Sequence, residues 1–454
     1  MKFSKKAGCL LTLIVSPILV IVLLVAAIAI RDSVNGAELN RKLNALTVAG
    51  KPIDDNSLDS LYRSTTDATD AMEWISVLEI VNAPDFIASA KGIPEFDPAV
   101  TNSNNPEVLF EEPERVRAFL QATAELRNQI RVLSLKAKPV QFPVKFQSLN
   151  TLLPNTQNLR QAALLIHLEG KFAVYERDSQ SIANSINALS GMSIVCSKEP
   201  FLVSHLVSIA VEGLAWKLLR QALEVDALET RELDDLMNTL NNQPSVSESW
   251  RSAIIGERAM ILSLFQNPAN LRQFMNSSDA MVIPARSADA LLALELFQRA
   301  EEANPDSPEQ FRNELDAIDE QLRESVGGSL LGRLDSIITS LSLPALNAAG
   351  KAFLRQSQYR QLALIGLAIR KYEDQHGQLP TDLGQLKQLE SFKNSLVFDL
   401  SQFGYRSESD YAIMWGSDYR VSNIPSPNPP DPSSPDYSII ENWGIWRFQR
   451  MGQQ

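Results

Sequence analysis

Apolar residues recur every three to four positions along most of the chain, the spacing of helices with one buried face. In SVNGAELNRKLNALTVAG (33–50), Leu39, Leu43 and Leu46 share a face and Gly50 stands where a C-cap belongs. SLDSLYRS (57–64) and TDATDAMEWISVLEIVNA (66–83) follow as helices, with Thr66 or Asp67 as N-cap of the second. Residues 84–110 hold Pro94, Pro98 and Pro106 and read as an exposed loop. The stretch 111–137 reads as one strongly amphipathic helix opening near Pro113, and 138–156 as a proline-punctuated connection.

The central stretch, 157–345, is denser still in helix. LRQAALLIHLEGKFAVYERDSQSIANSINALSGMSIV (159–195) predicts a helical hairpin turning near Gly170 or just beyond Asp178. Residues 199–224 are apolar nearly all round at their start, which marks a central buried helix. Ser204, His205, Ser208 and Glu212 interrupt this run too often for a membrane span. No repeat period is visible, so the helical region is expected to be an irregular bundle or an α-solenoid.

The C-terminal pattern changes. A long helix from about Pro344 to Gln375 carries Leu362, Ile365, Ile369 and Tyr372 as a stripe. Gly377 then stops the helix, Pro380 holds Leu379 extended, and Thr381 is placed to cap the short helix DLGQLKQL. FGYR, YAIMW and WGIWRF are short, alternating and aromatic, and read as strands of a small antiparallel sheet. IPSPNPPDPSSP (424–435) is incompatible with helix or central strand. The fold class is therefore mainly α with a small α+β module: 1–30 an anchor, 31–156 and 157–345 helical regions, 346–454 the α+β module.

The N-terminus breaks the amphipathic pattern. Ala7 to Ile30 contain no charged residue, enough helix to span about 36 Å, and Lys2, Lys5 and Lys6 precede them. This predicts a single-pass transmembrane helix with its N-terminus inside a bacterial cytoplasmic membrane and the rest extracytoplasmic; a signal peptide cleaved at Ala27-Ile28-Ala29 is the alternative, disfavoured by the length of the apolar run. The lipid bilayer is then one partner and other envelope proteins are the expected others. Net charge is −12, and about −15 without the three N-terminal lysines, so no basic surface is available for nucleic acid. The two cysteines, Cys9 and Cys196, fall inside and outside the span, which leaves no pair for an intramolecular disulfide.

Common catalytic signatures are missing: no His-Glu-x-x-His, Cys-x-x-Cys, Gly-x-Ser-x-Gly, P-loop or EF-hand loop occurs. Glycine-rich GGSLLGR (327–333) reads as a loop with Ser329 as N-cap. His167 and His205 lie in apolar helical runs, where a hydrogen-bonded core imidazole is the commoner state; pairing with Glu169 or Glu212 is the alternative. Cys196 reads as packing, and Asp418 as a turn residue rather than a calcium ligand. Glu373, Asp374 and His376 diverge by about 100° per residue on a helix, so their corner is a joint and not a chelate. No catalytic, cofactor-binding or metal-ligating residue is assigned, and no cofactor is expected.

Two resemblances rest on quoted stretches. ALIGLAIRKYEDQHGQLPTDLGQL followed by aromatic strands resembles the body of type II secretion pseudopilins, which implies a long helix on a small sheet. In that family the helix follows directly on the membrane segment, whereas here some 300 residues intervene. ELNRKLNALTVAGKPI, LLIHLEGKFA and EPFLVSHLVSIAVEGLA, in that order, resemble uncharacterised single-pass proteins of planctomycetes and related bacteria. That resemblance implies architecture without an activity. The expected function is a non-enzymatic envelope scaffold; an anchored hydrolase with its site in the central helices, or a secretion-system assembly component, are the alternatives.

Overall fold

Helices occupy most of the places the apolar spacing marks. The computed structural model describes residues 30–93, 95–96, 110, 112–267, 286–327, 337–342, 344–393, 399–408, 411–416 and 445–449. The uncharged run up to Ala29, Ser329, Asp418 and the proline-rich 424–435 stretch lie outside them. A first helix, α1, covers 30–48. It is followed by α2 (Asp55–Thr65), α3 (Ala71–Val81), α4 (Pro84–Ser89), α5 (Pro113–Ala122) and α6 (Ala124–Ser134). Next come α7 (Pro154–Glu176), α8 (Ser179–Val195), α9 (Leu202–Glu224), α10 (Thr230–Asn241) and α11 (Val246–Gln266). The series ends with α12 (Arg286–Glu302), α13 (Pro308–Gly327), α14 (Ile337–Ser342), α15 (Pro344–His376) and a single turn, α16 (Glu390–Lys393). Strands β1 (Phe403–Ser407), β2 (Tyr411–Gly416) and β3 (Ile445–Gln449) form one antiparallel sheet in that order.

The centre is built by α7, α8 and α9, each packed on the other two, with α15 laid along α9 and α10. In a solenoid each unit touches only its neighbours. Here α15 returns over a helix more than a hundred residues earlier, so the arrangement is an irregular bundle. Although α9 is long and apolar enough to cross a membrane, most of it is buried in the protein. One core runs from Trp74 and Ile130 through Ile166, Leu189 and Leu219 to Ile365, Met414 and Phe448, and so draws on all three segments divided at 156 and 345. A second gathers Trp250, Phe311 and Phe353 from α11, α13 and α15, with the Trp250 indole edge-on to both phenyl rings.

The sheet pairs Tyr405 with Met414 and Met414 with Trp446. Ala412, Met414, Trp446 and Phe448 are buried in the alternating sense of a sheet with one face on a core. That face is covered by α9, which packs on β3, as well as by α15, which packs on β2.

Local departures from the sequence pattern have local reasons. The expected single helix over 111–137 is two, broken at Thr123, whose backbone leaves the helical region (φ −101°, ψ 10°) while its hydroxyl bonds the Phe119 carbonyl. Part of the expected 84–110 loop is helix α4, and Phe86, Ala90, Ile93 and Phe110 are buried. Neither Thr66 nor Asp67 caps α3: the Thr66 hydroxyl donates to the Tyr62 carbonyl at the end of α2, and Asp67 closes its own turn on Thr69. The hairpin turns at Arg177–Asp178, with Arg177 left-handed (φ 58°) and Asp178 capping α8; Gly170 is mid-helix instead, where α7 presses on Leu218. After α15, Gly377 takes the left-handed conformation (φ 68°) and its N–H meets the Glu373 carbonyl. Leu383–Gln388 is a 3₁₀ turn, and Thr381 holds it by its backbone N–H to the Gln385 side chain, not by its hydroxyl.

Candidate functional site: polar clusters inside the helical core

His167 is fully buried on α7, one turn before Lys171. Both reach Glu95, a residue of the proline-rich stretch: His167 Nδ1 lies 3.2 Å from Oε2 and Lys171 Nζ 2.5 Å from Oε1. A carboxylate only accepts, so Nδ1 carries the imidazole proton and Nε2 presents a lone pair. Among the described residues Nε2 has no hydrogen-bond partner. Burial keeps His167 neutral by lowering its pKa, against the pull of Glu95. At Glu95 burial opposes ionisation, but the hydrogen bond from His167 and the charge and hydrogen bond of Lys171 together outweigh it and hold the carboxyl low. Beside the buried Lys171, Lys217 of α9 adds a second ammonium, itself half-buried, whose pKa burial lowers, with Glu95 pulling the other way. The cluster is a carboxylate–imidazole dyad between lysines, competent in principle for proton transfer at Nε2.

A second cluster surrounds Glu199, in the turn between α8 and α9. Its Oε2 accepts from Thr156 Oγ1 (2.6 Å) and Ser204 Oγ (2.5 Å). Burial raises its pKa, and the two hydroxyls partly counter that. Cys196 is fully buried with its sulfur 3.9 Å from Thr156 Oγ1, and burial beside Glu199 pushes the thiol well up, away from the thiolate a nucleophile needs. His205, one turn into α9, is buried beside Phe353; burial, reinforced by the Lys198 charge, lowers its pKa to about 4.

The remaining buried charges tie helices together. Glu212 of α9 receives Gln356 and a two-point contact from Arg360, both on α15. Arg370 of α15 donates to Glu373 (2.7 Å) and to the Leu223 carbonyl at the end of α9. Glu169 is taken by Arg127, with Arg131 3.4 Å away, both on α6. The two histidines and two glutamates weighed in the sequence are thus dispersed: His167 faces Glu95, His205 faces Phe353, and neither glutamate meets an imidazole. Glu373, Asp374 and His376 do not converge either. Glu373 turns inward to Arg370, Asp374 accepts from Thr230 (2.8 Å), and His376 stacks on Tyr372 while donating to its carbonyl. No group of three or more His, Cys, Asp or Glu is placed to hold a metal among the described residues.

Glu257 of α11 reaches the start of α9, where its Oε1 accepts the Leu202 N–H at 2.9 Å. Burial raises its pKa to about 7, with that hydrogen bond in opposition. A carboxyl whose folded pKa exceeds its unfolded value of about 4.5 binds its proton more tightly when folded, so stability falls as pH rises from 4.5 to 7. Glu257→Gln keeps the acceptor and removes the titration. Its unfolding free energy at pH 8 should exceed that of the parent by on the order of 2 kcal/mol, with no gain at pH 4. Urea titrations at the two pH values check this; equal gains at both would assign the effect to something other than ionisation.

Glu95 and Glu199 escaped sequence reasoning because nothing local marks them. Glu95 lies 72 residues from His167 in a stretch that reads as loop. No protein-family model, curated protein or solved structure matches the chain.

Proposed function

We propose that the chain is a single-pass membrane protein whose helical body stands outside the cytoplasm and serves as a protein-interaction scaffold in the bacterial envelope. The observation that carries this reading is the uncharged run Ala7–Ile30 behind Lys2, Lys5 and Lys6, long enough as a helix to cross a bilayer. From Ile30 the described chain is helix α1, which packs on α11 and α12 through Leu43 and Leu46. Internal pairing of the buried charges supports a mechanical rather than a chemical role: Arg360–Glu212, Arg370–Glu373 and Arg127–Glu169 all hold one element on another or brace one helix. Protease added to intact spheroplasts should degrade the body while carbonate-washed membranes retain it in untreated cells. A body protected from protease, or a soluble product lacking residues 1–30, overturns the reading.

One observation favours a second reading, an anchored hydrolase: the Glu95–His167 dyad with its unpartnered Nε2. Against it stands enclosure, since the imidazole has no exposed surface by which a substrate carbonyl or phosphoryl group could approach. On a panel of p-nitrophenyl esters and phosphates the purified protein should give no turnover above buffer. Turnover that disappears in His167→Gln, with its unfolding midpoint retained, would replace the scaffold with the enzyme.

A further inference from the structure

The way α1 is fastened to the body fixes how far the body can stand from a membrane. Asp32 Oδ1 accepts the backbone N–H of Ser287, in the first turn of α12, at 3.2 Å. Gly36 sits against Ser287 as well, since a Cβ there would lie 3.4 Å from its hydroxyl oxygen. Further along, Leu43 and Leu46 share a small core with Leu294 of α12 and Leu262 of α11. Beyond the end of α1, Lys51 Nζ reaches Glu301 Oε1 at 2.5 Å, near the end of α12. Three successive contacts, 32 with 287, 43 and 46 with 294, and 51 with 301, advance together along both chains. The two helices therefore run parallel, with Asp32 level with Ser287.

Helical rise places Asp32 about 3 Å past Ile30, the last residue of the uncharged run. The headgroup zone on each side of a bilayer is about 5–7 Å deep. Between the span and its first body contact there is thus no room for a stalk. We propose, resting on the anchor reading above, that the body is seated on the outer bilayer surface with the first turn of α12 among the lipid headgroups. The seat is imposed by geometry rather than by net attraction, because the body's net charge is negative and would be repelled by anionic lipid. α1 and α12 then rise from the membrane together as a two-helix post.

Depth-dependent quenching tests this on the full chain in phosphatidylcholine vesicles carrying a headgroup nitroxide lipid. Single cysteines labelled with NBD are introduced in a Cys9→Ser background, Cys196 being buried. Ala288→Cys and Arg286→Cys report the start of α12; Glu295→Cys and Glu302→Cys lie about 10 and 21 Å further along the helix. Val34→Cys and Val48→Cys report the near and far ends of α1. Expected is at least twofold quenching at 34 and at 286 or 288, less at 295, and none at 302 or 48. Quenching at 34 with none at 286 and 288 would mean that the body hangs clear of the bilayer, and would overturn the seat while leaving the anchor intact. A Val20→Cys label insensitive to acyl-chain nitroxides would remove the anchor itself.

Discussion

Glu212→Ala should lower the unfolding free energy by about 3–5 kcal/mol, the cost of leaving one member of a buried ion pair without its partner. Glu212 is 1% exposed and Arg360 7%, so water cannot replace the lost carboxylate without opening the contact between α9 and α15. Arg360 Nε donates to Oε1 at 2.5 Å and Nη2 to Oε2 at 3.1 Å, the planar two-point match that a carboxylate alone offers. In the variant the guanidinium keeps its hydrogen bond to the Pro244 carbonyl, and the Gln356 amide loses its acceptor. The double replacement Glu212→Leu with Arg360→Met should recover most of the loss, because apolar groups of similar volume need no charge compensation. Urea unfolding of the three variants decides the matter. A single variant within about 1 kcal/mol of the parent would mean that the pair is solvated and the junction looser than described.

Gly256→Ala is the second large effect. A Cβ on Gly256 would sit 1.8 Å from the Pro200 carbonyl oxygen, and backbone cannot rotate aside as a side chain can. Either α11 or the turn between α8 and α9 must move by more than an ångström. Overpacking of this kind costs typically 1–3 kcal/mol and more where both partners are held. Both are held here: Glu257, the next residue, binds the Leu202 N–H, while Glu199 in the turn is clasped by Thr156 and Ser204. Gly327→Ala is the control, since among the described residues nothing lies within 4 Å of a Cβ there. A thermal midpoint lowered by several degrees in the first variant and unchanged in the second is the expected pair of results. Equal midpoints would show that the α11–turn contact is not close.

Much of the architecture is legible in the chain because its causes are local. The 199–224 run becomes α9, Pro344 opens α15 and the three aromatic runs become the strands of one sheet, all from periodicity and β-propensity alone. Gly377 is equally plain, a residue without a Cβ at a left-handed position. Structure and pattern part where two local signals compete. At 111–137 unbroken periodicity hid a break at Thr123, and proline density at 84–110 hid the turn of helix that buries Phe86. The polar clusters were not legible at all. His167 carries no mark that Glu95 will be its partner, nor Glu212 that Arg360 will arrive from 148 residues away. Such pairings are products of tertiary folding, and residue type alone says only that a buried charge needs something.

The shared core has a consequence for how the chain is made. Trp446 and Phe448 of β3 complete the hydrophobic surroundings of α9 and α15, yet they are synthesised after every described helix. A nascent chain that has emerged only through α15 still exposes the apolar flank this strand will cover. The body cannot lock until that strand arrives, so the partly synthesised polypeptide is an unfinished, adhesive intermediate.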